Sequence, residues 1–328
     1  MSIKIFFLSA SLLSAITGFS QKISDLKLDN EQSILNDKTF FRFPNDAKNI
    51  ARQTDIMSAD PNINRETRII LDIDKQRLVF FARELYVTAN NNLLDVLSKD
   101  NNEKAKVKIL TDKDSILSVL VTPKKLDSTE TAILVNNLYV QTQDRTVFVI
   151  GAYINPDAYK NRDEFQELSE NVFSTLTKGS RKLNFQARTE KLPIFDGKKK
   201  FSIALPDGYV ITKDKGYDFE VFKLQKIRDI ADTNWLSLTI YTGYHPSYFY
   251  REYNFDKSSA IKTNGRFLNK KVIWLNFKNM EKQLFLKEQQ ILINQIEKGL
   301  IVHIAMLGNN QKMIDELTEL IENIKLTK

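Results

Sequence analysis

The chain spells one pattern twice, and this repetition narrows the folds open to it. Each half opens on an aromatic strand ending in proline: Phe40-Phe41-Arg42-Phe43-Pro44, then Phe201-Ser202-Ile203-Ala204-Leu205-Pro206. Each half closes on an apolar strand, a polar turn and an amphipathic helix. In the first half the strand is Thr146 to Tyr153. The helix runs from Asp163 to Leu176, with Phe165, Leu168, Val172, Phe173 and Leu176 at a spacing that shares one face. Gly179 is placed to stop it. In the second half the strand is Leu300 to Leu307. Asn309-Asn310 can cap a helix whose stripe is Met313, Leu317, Leu320, Ile321 and Ile324.

Between these ends lie further strand-like runs. Arg68 to Ile73 and Arg77 to Ala82 flank a turn at Asp74-Lys75, followed by Val107 to Leu110, Ile116 to Val121 and Ala132 to Gln141. The second half offers Asp218 to Leu224, Trp235 to Thr242, Lys271 to Phe277 and Lys282 to Leu292. Short helices are expected over Leu93 to Leu97 and Ser247 to Ile261. Tight turns between successive strands imply antiparallel pairing, because parallel pairing needs long crossovers. The closing strands are apolar at consecutive positions, which asks for cover on both sheet faces. The expectation is an α+β chain: a tandem of two antiparallel-sheet domains, each flanked by helices.

The N-terminus carries a leader pattern. Lys4 supplies a positive charge, Ile5 to Ile16 is apolar apart from small residues, and Gly18-Phe19-Ser20 suits a cut before Gln21. The apolar run is shorter than the roughly 20 residues a membrane span needs. The expected layout is a signal peptide at 1–20, an extension at 21–36, a first domain at 37–182, a linker at 183–196 and a second domain at 197–328. The protein is therefore expected to be exported, to the periplasm or beyond, with no transmembrane segment in the mature chain. With no cysteine, disulfides and thiolate metal sites are excluded. A formal net charge of +7, lowered by one when Lys4 leaves with the leader, points an exported protein toward acidic polymers or acidic partners and away from nucleic acid.

The second half resembles the PsbP/Mog1-like superfamily, which includes the bacterial periplasmic DcrB-like proteins. The resemblance rests on Phe201-Ser202-Ile203-Ala204-Leu205-Pro206-Asp207-Gly208-Tyr209, on Asn269-Lys270-Lys271-Val272-Ile273-Trp274, and on Gly299 to Ile304 with the helix ending at Ile324-Lys325. The first half shares only Phe43-Pro44 and the closing strand and helix. The resemblance implies an α/β/α sandwich in each half and a non-enzymatic accessory or binding role. The superfamily has no shared active site, so no functional residue carries over.

The residues themselves offer little catalytic chemistry. His303 sits among Val302, Ile304 and Ala305 and reads as a core histidine. His245 lies in Tyr244-His245-Pro246 without metal-ligand spacing. No G-x-S-x-G elbow, dinucleotide loop or phosphate loop occurs. The acids at Asp55 to Asp60 and at Asp72 and Asp74 lack the calcium-loop pattern. No catalytic residue, cofactor or metal is assigned. Two carboxylates in a cleft, or His245, would leave an extracellular hydrolase as the alternative.

One segment is unusual. Tyr241, Tyr244, Tyr248, Tyr250 and Tyr253, five of the 11 tyrosines, crowd around Phe249. A basic stretch follows, including Lys262, Arg266, Lys270 and Lys271. Tyrosine combines apolar area with a hydroxyl, which suits protein interfaces and sugar stacking. These tyrosines, His245 and the four cations form the candidate binding surface. The expected function is an exported, non-catalytic binding or accessory protein of the cell envelope, with an envelope protein or an acidic polymer as its partner.

Overall fold

The computed structural model describes residues 22–50, 66–90, 92–100, 105–126, 131–195, 199–294 and 296–328. The leader, its cut before Gln21 and the acids at 55–60 lie outside the described residues. The first half runs β1 (Asn30–Ile34), β2 (Thr39–Phe43), β3 (Lys48–Asn49), β4 (Glu66–Ile73), β5 (Gln76–Thr88), α1 (Leu93–Asp100), β6 (Ala105–Lys113), β7 (Ile116–Pro123), β8 (Ile133–Gln141), β9 (Thr146–Ile154), α2 (Arg162–Ser174) and β10 (Thr177–Lys178). The second half runs β11 (Arg188–Pro193), β12 (Lys200–Leu205), β13 (Tyr209–Lys215), β14 (Phe219–Lys226), β15 (Arg228–Asp229), β16 (Leu236–Gly243), α3 (Phe249–Glu252), β17 (Ile261–Phe267), β18 (Lys270–Asn279), β19 (Leu284–Leu292), β20 (Ile301–Gly308), α4 (Gln311–Glu322) and β21 (Lys325–Thr327).

The two halves share one strand order. The large sheet of the first is β3-β4-β5-β9-β8-β7-β6 and that of the second is β13-β14-β16-β20-β19-β18-β17. Each half adds a three-stranded sheet, β1-β2-β10 and β11-β12-β21, whose third strand follows the last helix. Pairing within every sheet is antiparallel apart from one parallel contact, β15 on β5. Strand β11 falls inside the segment that the sequence reads as linker.

The expected α/β/α sandwich is corrected. Strands hold 51% of the described residues and helices 18%. One face of each large sheet is covered by a second sheet together with one helix, and the other by a short segment. In the first half, α2 and β1-β2 pack on Phe80, Phe148 and Ile150; in the second, α4 and β11-β12 pack on Ile240, Ile304 and Met306. The opposite faces carry smaller clusters. One lies under α1, around Val119, Tyr139 and Val149. The other lies under residues 244–260, around Tyr250, Phe277 and Leu286. The helix expected over Ser247 to Ile261 shrinks to α3 and a single 3-10 turn at Lys257–Ser259. Its aromatics do not recur at helical spacing; they bury one by one against the sheet.

Local caps follow from the sequence. Asn310 Oδ1 accepts the Met313 amide at 3.4 Å at the start of α4. Gly179 does not stop α2, which ends at Ser174. It lies so close to the backbone of the Asp37-Lys38 turn that a Cβ would collide there.

Candidate functional site

Alternation along β20 divides its side chains between two surfaces. Val302, Ile304 and Met306 face α4; His303, Ala305 and Leu307 face the 244–260 segment. On that outer face, Glu288 of β19 and His303 form a pair, Oε2 to Nε2 at 2.7 Å, both almost fully buried. The two carboxylate oxygens also accept the amides of Phe249 and Tyr250, each at 2.9 Å. Glu288 therefore pins the first turn of α3 onto the sheet. Tyr248 and Phe249 close over His303 with ring centroids 5.6 and 5.5 Å away. This histidine is a sealed structural group, in keeping with its place among apolar neighbours in the sequence.

The sequence-derived surface is split by the fold. Tyr250 is 5% exposed and stacks on Phe277 at 5.4 Å. Tyr248 is half-buried; burial, helped by the Glu288 charge, pushes its phenol above the ordinary value. Tyr241 stacks on Phe219 and is likewise pushed up by burial. Tyr244 meets Phe195 edge-on at 5.9 Å. Tyr253, 41% exposed, packs beside Phe249. His245 is exposed, and its backbone N–H donates to the Tyr241 hydroxyl at 3.2 Å. Among the described residues its imidazole has no partner. Lys262, Arg266 and Lys271 are exposed on the outer face of β17 and β18, whereas Lys270, also exposed, lies on the other face opposite the core residue Phe267. The tyrosine segment therefore forms a ridge across the outer face, with the basic residues on its far side.

On the near side of the ridge lies a cleft of about 570 Å³ between the two halves. Its floor is the outer face of β14 and β16, at Lys223, Gln225, Ser237 and Thr239. Phe249 and Tyr253 of the ridge form one wall, and Leu85 and Tyr86 of the first half form the other. Trp235 also lines the cleft. Tyr86 sits at a break in the β5–β9 register and has φ of 54°, the left-handed region that a bulky residue rarely occupies. A bulge at this point turns an aromatic side chain into the cleft. Lys223, Lys226 and Arg228 supply cations along it. Of the two acids lining it, Asp232 is committed to its own turn, where Oδ1 accepts the Asn234 amide at 2.9 Å.

The halves are knitted together at the mouth of the cleft. Arg228-Asp229 pair with Val87-Thr88, the Ile230 amide donates to the Thr88 carbonyl at 2.9 Å, and buried Ile230 joins the outer core of the first half. Asn90 donates to Asp229 at 2.6 Å, and Lys99 Nζ donates to the Ile230 carbonyl. In the β8–β9 turn, Asp144 accepts the Leu183 amide at 2.8 Å. Burial pushes the Asp144 carboxyl up. Hydrogen bonds from Thr142, Thr146 and Leu183, with the Lys38 charge, outweigh this and hold it below the usual carboxylate range.

Sequence reasoning missed the cleft because its walls come from both halves. Leu85-Tyr86 lie beyond the strand that the sequence places at Arg77 to Ala82, and Trp235 reads only as the start of a strand. Among the described residues no three His, Asp or Glu come close enough to hold a metal, and no helix is long and apolar enough to cross a membrane.

No family model matches the chain, and no curated protein matches it. Among solved structures it is similar to the immunity protein TplEi of the T6SS from Pseudomonas aeruginosa complexed with "L" peptide. The likeness has 10% identity and a TM-score of 0.21, over 91% of this chain and 99% of that one. At such a score the likeness carries no argument.

Proposed function

We propose that this chain is an exported, non-catalytic binding protein of the cell envelope that takes an acidic polymer or an acidic protein segment into the cleft between its halves. The observation that carries this reading is the lining of the cleft: aromatic side chains from both halves beside a row of cations. Aromatic faces and basic groups together suit a chain bearing carboxylates or sulfates. The accessory role implied by the resemblance to PsbP/Mog1-like proteins, and export by the leader at 1–20, belong to the same proposal.

The test uses Trp235 as reporter in a Trp274→Phe background, with heparin and poly-glutamate as probes. Saturable change of Trp235 fluorescence with one of them is expected. Lys223→Glu with Lys226→Glu should weaken it by about tenfold or more. A flat titration with both probes, or one indifferent to the charge reversal, would overturn the proposal. Release of shortened products would put the hydrolase in its place.

A further inference from the structure

Strand β17 is the margin of the second large sheet, at the opposite side from the cleft. Its neighbour β18 holds it in register through Asn276, whose Nδ2 donates to the Ile261 carbonyl and to Thr263 Oγ1, both at 2.9 Å. Ile261, Thr263, Gly265 and Phe267 share the face of Trp274, while Lys262, Asn264 and Arg266 share the outer face with Ile273 and Lys271. Gly265 lies so close to Trp274 and Glu322 that a Cβ would collide with both.

The Arg266 amide points away from β18, because it donates to Glu322 Oε1 of α4 at 2.9 Å. Amides alternate in direction along an antiparallel strand, so those of Lys262 and Asn264 point the same way. Among the described residues neither has a partner. Glu322 thus closes one outward amide and leaves the stretch before it open.

Apart from the Glu322 carboxylate that the Arg266 amide holds, the charge along this margin is positive. Lys262, Arg266 and Lys271 are exposed, and among the described residues none forms an ion pair. Arg266 and Lys271 stand directly opposite each other, an arrangement that costs stability through like-charge repulsion. Ile273, 51% exposed, lies beside them as an apolar floor. Lysines on an edge commonly ward off pairing. Here they would ward off a second copy, which brings the same cations, but would draw in a strand bearing acids.

We propose that β17 accepts an extended acidic segment of a partner protein as an added strand, with main-chain bonds at Lys262 and Asn264 and carboxylates at alternate positions facing Lys262, Arg266 and Lys271. The apolar residues between those positions would follow the strand's alternation. The edge is already ordered by Asn276, so little ordering is required of this chain.

The experiment uses the full mature chain with a short labelled peptide alternating Glu and Val, read by fluorescence anisotropy and by amide exchange at Lys262 and Asn264. Binding with slowed exchange at both amides is expected. A Lys–Val peptide should bind at least about tenfold more weakly, and Lys262→Glu with Arg266→Glu should cost a similar factor. Asn264→Pro removes an outward N–H at a position where an edge strand tolerates proline. It should abolish binding while the far-UV spectrum stays unchanged. Glu322→Ala opens the Arg266 amide and should tighten binding about threefold. Unchanged affinity in Asn264→Pro would overturn the proposal. So would binding to anionic phosphatidylglycerol vesicles in place of the peptide, or concentration-dependent dimerisation that Arg266→Glu alone promotes.

Discussion

The same joint is built twice with different chemistry. In both halves, the turn between the first two strands of the small sheet docks on the third strand of the large one. In the first half that contact is Lys38 Nζ to both Glu84 oxygens, at 2.8 and 2.7 Å, and to Thr146 Oγ1 at 2.8 Å, with the pair almost fully buried. In the second half the Phe195 amide donates to Thr242 Oγ1 at 3.1 Å. One fold thus tolerates either a buried ion pair or a neutral hydrogen bond at one place. A buried pair adds little net stability over an apolar filling, yet losing one partner strands a charge in the core. The first half is therefore the brittle one.

The outer faces differ in a related way. In the first half the cover supplies the carboxylate: Asp100 at the end of α1 accepts the Tyr139 hydroxyl at 2.9 Å and pairs with Arg83. In the second the sheet supplies it, as Glu288, and the cover supplies backbone amides. Either way, one acid fastens the crossover segment.

The sharpest break in this comparison is Lys38→Met. It should destabilise the chain by about 3–5 kcal/mol in urea unfolding, and adding Glu84→Leu should restore most of the loss. Thr242→Val at the matching joint should cost only about 1 kcal/mol. Equal losses would show that the two joints are not counterparts. Next in size is Glu288→Gln, expected to cost about 2 kcal/mol and to speed amide exchange across 249–260. Tyr139→Phe, which removes a bond to the partly exposed Asp100 carboxylate, should cost about half that.

The smallest effect is in pH dependence. The folded Asp144 carboxyl lies below the ordinary aspartate value of 3.8, so the stability it lends the first half is present above that pH and lost as pH falls through the folded value. Asp144→Asn should flatten this acid limb. Burial holds Lys287 below 10.5 despite Asp315 and Glu322, so the unfolded chain binds the extra proton and stability rises with pH as 10.5 is approached. Lys287→Met should remove that rise and add roughly 1 kcal/mol at neutral pH.

The closing strands and helices were legible because Val147 to Ile150 are apolar at every position and Leu300 to Leu307 at every position but His303, and the helices that follow keep a clean stripe. Strands β1, β11 and β13 were not. Their residues are largely polar or charged, and in β13 Asp214 is buried where a strand pattern would show an apolar residue. The buried acid at Glu84 did leave a trace, since it occupies the apolar phase of a strand running Leu78, Phe80, Ala82. Its partner lies 46 residues away in a turn, beyond any local pattern. The tyrosine segment was visible by composition, but whether such rings meet solvent or a sheet depends on what lies beneath them. Here Phe277 and Leu286 were waiting.

The parallel contact of β15 on β5 sets the aperture of the cleft. Main-chain ladders do not depend on which side chains flank them, so the angle between the halves can outlast extensive replacement of the residues lining the gap. On the binding role proposed above, a cleft held by such a ladder would admit a ligand without first opening. Association should therefore be one-step and linear in probe concentration, and a new guest can be accommodated by relining the walls while the frame stays as it is.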